Sequence, residues 1–341
     1  MIQRVAVAGT GFFSQFHYDA WSRLDVDVVG ICSLDHDAAT SVAAGFPDCQ
    51  VFDDFSQMLD AISPDLVDIV TPPPTHLEFV TQALRRGVAV VCQKPFCGSL
   101  EGAEKAVGVA AETGVPLIVH ENFRFQPWYA EIKNHIATGT LGDVYQGTFR
   151  LRPGDGQGPD AYLDRQPYFQ DMPRLLVHET LVHLIDVFRA LFGDVTSVFA
   201  DLRRLNPVIK GEDAGVIILS FENGQRAVID GNRLVDHAAE NRRLVMGEMI
   251  VEGAGGTLRL DGDARLYTRA HGSNDEQALS YSWNDHGYGG DCVYRLCAHV
   301  LEKLQSGDAP ENTAADYLSN LRVVEAVYLS SAEGRRVDLD A

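Results

Sequence analysis

The amino-acid sequence predicts an α/β protein: a doubly wound parallel sheet, then an α+β domain with a large, mostly antiparallel open sheet. Three observations carry this. Over the first 120 residues, short continuous apolar runs alternate with helix-like segments, the pattern of parallel strands buried on both faces. A glycine turn, Gly9-Thr10-Gly11, directly follows the first of those runs. After Pro127 the apolar runs lengthen, and turn signals such as Glu222-Asn223-Gly224 fall between them, as hairpins require.

The first β-rich runs are 5–8, 26–32, 66–70, 88–92 and 115–119, with helix-like segments such as 76–86 and 100–113 between most of them. Such a βαβ series makes a Rossmann-type sheet. A helix-like stretch then runs from Pro127 to about Ala137 and stops at Gly139. Longer strands follow at 143–152, 195–204, 214–221, 225–232 and 244–252, and helices at 291–305 and 314–331 close the chain. The Gly/Pro-rich stretch 153–159 reads as a mobile loop. The change of pattern divides the chain into domains at 1–121 and 122–341.

Length and charge agree with this division. The chain has 341 residues, two domains' worth at about 100–200 residues each. Lys and Arg total 28 against 48 Asp and Glu, a formal charge of −20. So acidic a surface repels phosphate backbones and anionic lipid, which argues against nucleic-acid or membrane partners. A helix N-terminus can still hold an anionic cofactor locally. No apolar run reaches the eighteen or so residues of a membrane span. The N-terminal residues run straight into a strand pattern, without a signal peptide. The six cysteines (32, 49, 92, 97, 292 and 297) form no CxxC pair and read as buried small hydrophobes. Together these predict a cytoplasmic protein.

The turn Gly9-Thr10-Gly11-Phe12-Phe13-Ser14 opens the first helix. Gly9 permits the tight turn, Gly11 lets a pyrophosphate approach the backbone, and the helix N-terminus supplies N–H donors. An acid about 20 residues on would bind the ribose of NAD. Here Ser33 occupies that place and Asp35 follows two residues later, with no Arg for a 2′-phosphate. The pattern leans to NAD over NADP, and Asp35 reads equally well as a helix N-cap. Thr71, Pro72 and Pro73 form an extended loop after the third run, at the sheet edge where ligands bind. His76 after them reads as a cap or a cofactor-lining residue.

Gln93-Lys94-Pro95 follows the fourth run at the same edge. Lys94 there suits proton transfer to a sugar oxygen, and a surface lysine before a turn is the competing reading. Pro95 allows a cis bond. Further on, Glu179, His183 and Asp186 lie at i, i+4 and i+7 of a helical pattern. One shared face would let them bind a polyol and move protons, or simply be solvated. A zinc site fails on spacing. His178 and His183 are five apart, about 140° at 100° per residue, whereas HExxH needs four.

The ordered set GTGFFS, TPPPTH, QKP and ETLVHLID resembles the Gfo/Idh/MocA oxidoreductases, over nearly the whole chain. The stretches Asn122–Pro127 and Gly139–Val144 are similar to that family's link into its second domain. The resemblance implies a dinucleotide-binding domain at 1–121. It implies a substrate-binding and oligomerisation domain at 122–341, whose sheet builds a homodimer or homotetramer. It implies NAD(P)-dependent hydride transfer to or from a sugar, cyclitol or sugar-derived polyol.

By the resemblance Lys94 and His183 handle the proton, and Glu179 takes the place of the family's acid. Gly9, Thr10, Gly11, Phe12, Phe13, Ser33, Asp35, Thr71, Pro72, Pro73, His76, Gln93 and Lys94 line the cofactor. Lys94, Arg124, Tyr168, Glu179 and His183 meet substrate, with Arg174 and His286 as further polar candidates.

Three residues depart from the family pattern. Gln93 replaces a Glu and removes a negative charge beside Lys94. Glu179 replaces an Asp, one methylene longer. Leu181 replaces a Gly, which narrows the pocket or changes the helix approach. The same fold admits two other activities: glycoside cleavage without net cofactor turnover, and non-catalytic nucleotide sensing.

Overall fold

A computed structural model describes residues 2–339. The chain forms two compact units. One holds the residues up to Asn122 together with His286–Ser319; the other holds Phe123–Asp285 and the residues from Asn320 onward. The division is therefore discontinuous, and differs from the expected split at 1–121 and 122–341. Segment 286–319 belongs to the first unit.

The first unit contains β1 (Arg4–Ala8), α1 (Ser14–Ser22), β2 (Asp27–Cys32), α2 (His36–Ala43), β3 (Gln50–Phe52), α3 (Phe55–Ile62) and β4 (Leu66–Ile69). It continues with α4 (His76–Arg85), β5 (Ala89–Gln93), α5 (Leu100–Thr113) and β6 (Leu117–His120). All six strands pair in parallel in the order β3-β2-β1-β4-β5-β6. The order reverses between β1 and β4, the switch point beside which such sheets bind ligands. Val5, Ala6, Val7 and Ala8 are wholly buried, as a central strand covered on both faces must be. Asp35, Asp54 and Ser99 cap α2, α3 and α5 by accepting from the N–H three residues on. Edge strand β3 was not expected from sequence: it is three residues long and opens on a polar Gln.

The second unit begins with α6 (Pro127–Ala137) and β7 (Val144–Leu151). A single π turn, Leu176–Leu181, leads into α7 (Val182–Phe192). Then come β8 (Val195–Arg203), β9 (Ala214–Phe221), β10 (Arg226–Asn232), β11 (Gly247–Gly253), β12 (Gly256–Leu260), β13 (Leu266–Ala270) and β14 (Gln277–Ala278). The chain returns to the first unit for α8 (Cys292–Ser306), and its last elements are α9 (Ala314–Glu333) and β15 (Val337–Asp338).

The nine strands of this unit form one sheet, ordered β14-β13-β12-β11-β7-β10-β9-β8-β15. Among the described residues only β7 and β10 pair in parallel there. A Cβ on Gly147 would lie 2.6 Å from the Phe188 ring, so α7 packs closely over β7. Hairpin strands β12 to β14 extend the sheet beyond the five strands the sequence predicted.

Two expectations change here. The helix carrying 179–186 is not a continuous α-helix that puts Glu179, His183 and Asp186 at regular spacing on one face. Its first turn is a π turn, and His183 and Asp186 are buried. Nor is loop 153–159 loosely held: Gly156 donates to Arg233 O, and Asn206 Nδ2 donates to the carbonyls of Gly156 and Gly158.

Candidate active site

In the first unit the predicted residues gather at the carboxyl edge of the sheet. Gly9 has φ 114°, and a Cβ there would sit 2.7 Å from Val70 O, so only glycine fits the turn. A Cβ on Gly11 would meet nothing within 4 Å. That open space lies at the start of a nine-residue helix, and it fits a pyrophosphate held by backbone N–H groups. Phe12 is exposed, whereas Phe13 packs edge-on against Phe16, His17 and Tyr288. Thr10 and Ser33 share a 2.7 Å hydroxyl bond, and Asp35 N–H donates to Ser33 Oγ. Asp35 Oδ1 accepts from Ala38 N–H and so caps α2.

Thr71, Pro72 and Pro73 lead into a 3-10 turn, tied by bonds from Thr75 Oγ1 to Pro72 O and between the two threonine hydroxyls. His76 is fully buried and lies 2.7 Å from Thr71 O through Nε2. Burial holds it below the ordinary histidine pKa, with the carbonyl contacts opposing. Its neutral ring is a strut for the loop.

Gln93 ends β5, and Lys94 follows it, with a cis Lys94–Pro95 bond. Lys94 is half-buried. Its N–H donates to the Gln93 side chain, Oε1, at 2.7 Å. Gln93 Nε2 lies 3.1 Å from His17 Nε2, and His17 Nδ1 lies 2.7 Å from Asp68 Oδ2, which also accepts from Trp21 Nε1. Sequence reasoning missed His17, Trp21 and Asp68. The available signal was Asp68 itself, a lone acid inside the apolar strand Leu66-Val67-Asp68-Ile69.

In the second unit the π turn is held from three sides. Glu212 accepts from Leu176 N–H through its backbone carbonyl and from Val177 N–H through Oε1. Tyr328 OH also donates to that carboxylate, and an anion at a helix start is favourable. Arg233 donates to Thr180 Oγ1 at 2.7 Å, to Tyr162 OH at 2.8 Å and to both oxygens of Asp155. Glu179 is half-buried within this turn. His183, 6% exposed, stacks face to face on Phe123 with ring centroids 4.0 Å apart.

Leu181 packs toward β10. It is wholly buried, with Cδ1 3.4 Å from where a Gly231 Cβ would stand, so the missing side chain on β10 makes room for it.

Arg124 and Asp186, both read from sequence as candidates to meet substrate, form a two-bond fork with each other. Arg174 pairs with Glu325, and His286 lies 3.2 Å from Asp19. Tyr168 is exposed, edge-on to Phe169. Among the described residues, no group of three or more His, Cys, Asp and Glu is placed to hold a metal. No helix among them is long and apolar enough to cross a membrane.

A glycine turn at the switch point of a parallel six-stranded sheet, joined to a second unit built on a large mixed sheet, defines an NAD-binding oxidoreductase. The family comparison makes this specific. Residues 3–121 match the oxidoreductase family with an NAD-binding Rossmann fold, and 129–259 match the GFO/IDH/MocA C-terminal domain, so the chain belongs to the Gfo/Idh/MocA family of dehydrogenases. It is 34% identical to a D-apiose dehydrogenase of Paraburkholderia graminis, over 98% of this chain and 89% of that relative. It is 31% identical to a D-apiose dehydrogenase of Rhizobium rhizogenes, over 98% of this chain and 97% of that one. A solved oxidoreductase from Agrobacterium radiobacter, in complex with NAD+, L-tartaric acid and magnesium, superimposes with a TM-score of 0.89 at 29% identity. That match covers 99% of this chain and 98% of the other.

Proposed function

We propose that the protein is a cytoplasmic dehydrogenase that oxidises a carbinol of a small sugar or polyol, with D-apiose the first substrate to test. The observation that carries this is the place of Lys94: the first residue beyond β5, at the carboxyl edge of a sheet whose glycine turn fits NAD. The two D-apiose dehydrogenases that align along 98% of the chain support the substrate class. Four of the six cysteines are buried and all six are free, in keeping with a reducing compartment.

Gly9, Thr10, Gly11, Phe12 and Phe13 hold the pyrophosphate side of NAD. Ser33 and Asp35 lie toward its ribose, and Thr71, Pro72, Pro73, His76, Gln93 and Lys94 line the remainder. When bound, NAD supplies the hydride acceptor. Lys94 Nζ orients the reacting hydroxyl and takes its proton as the C–H bond is cleaved. His183 is the second proton-handling group, its ring held flat by Phe123. Glu179 and Tyr168 contribute polar contacts to substrate, and Arg124 acts by anchoring Asp186 on α7. The test is NADH absorbance with NAD+ and D-apiose, then a panel of sugars and cyclitols, beside Lys94→Ala. Lysine-dependent reduction with NAD+ binding retained is expected. NADH formation that Lys94→Ala leaves equal overturns the assignment, and cofactor binding without reduction moves the reading to glycoside cleavage or sensing.

The same reading makes the protein a homodimer or homotetramer through the nine-stranded sheet. On its open face, Phe199, Ile218, Val228, Thr148 and Ile250 stand in register across five strands. Phe199 is 42% exposed. Beside this row runs another, Asp201, Val216, Asp230, Arg150 and Glu248, with charges of both signs. An apolar row flanked by mixed charge suits a second copy of the same face.

A further inference from the structure

We propose that Gln93 is a positioning residue for Lys94, and that Asp68 holds it there by locking His17 in the neutral Nδ1–H form. The positioning part rests on the reading of Lys94 as the proton-handling group; the locked tautomer stands on geometry alone.

The chain of donors and acceptors admits one arrangement. Lys94 N–H can only donate, so the Gln93 atom 2.7 Å from it is the carbonyl oxygen. The other end of the amide is then NH₂, which also only donates. His17 Nε2, 3.1 Å away, must therefore present its lone pair. The ring proton is left on Nδ1, which donates to Asp68 Oδ2 at 2.7 Å. Trp21 Nε1 donates to the same oxygen, so Asp68 is the acceptor at the end of the chain. Reversing any one bond sets two donors against each other. His17 and Asp68 are wholly buried, so no water can repair a reversal.

The consequence falls on Lys94. Its amide is fixed by the side chain of the preceding residue, and that side chain is fixed by a ring anchored on β4. The lysine thus leaves β5 in one direction, without loss of backbone freedom at the moment of reaction. A carboxylate at position 93 would still accept from Lys94 N–H, but its second oxygen would face His17 Nε2 and draw a second proton onto the ring. Around the pair stand His120, whose ring lies 4.1 Å from that of His17, and Tyr18, Cys92 and Cys297, each of which feels the Asp68 charge.

The test reads the ring directly. In full-length protein with ¹⁵N-labelled histidine and bound NAD+, His17 is assigned by its loss in His17→Gln. Its resonances should show a proton on Nδ1 and none on Nε2 across the neutral pH range. In Gln93→Glu both nitrogens should carry protons. An imidazolium or an Nε2–H tautomer in the unaltered protein overturns the lock. The kinetic arm uses NAD+ and D-apiose, or whichever polyol is reduced. Gln93→Ala should lower kcat at saturating NAD+ at least about tenfold, and Gln93→Glu, which keeps the acceptor and the shape, should restore kcat to within about threefold. Full kcat in Gln93→Ala overturns the positioning role. Full kcat in Lys94→Ala instead overturns the function assigned to the lysine, a failure that leaves the NMR result on His17 unaffected.

Discussion

Arg124 and Asp186, 62 residues apart in sequence, meet in a fork: Nε donates to Oδ2 at 2.8 Å and Nη2 to Oδ1 at 2.6 Å. Asn320 Nδ2 adds a third bond to Oδ1, and its own oxygen accepts from Arg189. The Asp186 side chain has no solvent exposure and that of Arg124 only 10%. Two residues with the polar character of substrate ligands thus neutralise one another, and the pair fixes the second turn of α7. His183 sits one turn earlier on the same helix.

Removing one partner from such a pair leaves a buried charge uncompensated. Asp186→Asn should destabilise the protein by about 3–5 kcal/mol, and Asp186→Leu with Arg124→Met should recover most of that loss. Urea midpoints of the two variants check it. A single variant as stable as the parent would show that the fork contributes nothing.

The two glycines of the nucleotide turn separate folding from binding. Gly9→Ala places a methyl 2.7 Å from Val70 O at a φ of 114°, so it should lower stability by at least about 1–2 kcal/mol and abolish NAD+ binding. Gly11→Ala meets no atom within 4 Å, so its melting temperature should match the parent. Its NAD+ affinity, measured by calorimetry, should still fall about tenfold or more, because the methyl occupies the space the pyrophosphate needs. Unchanged affinity in Gly11→Ala would remove the pyrophosphate from that space.

The sequence made the strand pattern of the first unit legible because parallel strands buried on both faces are continuous apolar runs. The same logic hid β3, whose three residues are too few to register. It also hid β12 to β14, whose alternation is short and broken by Gly and Asp. The glycine turn and Lys94 were legible because they follow strands directly. Pairings across the chain were not. Nothing near Asp68 tells that the order β1-β4 brings α1 and His17 against it. The π turn is likewise imposed from a distance, by Glu212 taking the first N–H groups and Arg233 holding Thr180. Its local residues Leu176–Leu181 scan as an ordinary helix, which is why Glu179, His183 and Asp186 read from sequence as sharing one face.

His76 should impose a pH dependence on stability. Its folded-state pKa lies below the ordinary value of about 6.5, so the unfolded chain binds the proton more readily. Stability from the neutral ring is then complete above pH ~6.5 and declines as pH falls from there toward the folded pKa. His76→Gln keeps a donor near Thr71 O but has no proton to gain. The melting temperature of the variant should fall less than that of the parent between about pH 7 and 5. Parallel curves would show that His76 does not titrate on unfolding.

The open face of the nine-stranded sheet carries the last prediction. Ile218 lies at the centre of its apolar row, paired with Phe199 on β8 and Val228 on β10. Its neighbours Val216 and Phe199 are each 42% exposed, more than an apolar strand face shows when a partner covers it. In a two-fold assembly, one change alters both copies of the interface. Ile218→Asp places a carboxylate in the middle of each copy's row, where a closing partner surface would leave it desolvated and unpaired. Light scattering should find the parent as a dimer or tetramer and the variant as a monomer. The far-ultraviolet circular dichroism should stay unchanged, because the side chain points away from the core-facing residues Ile217 and Leu219. A parent that is monomeric at micromolar concentration would assign the apolar row to a different occupant.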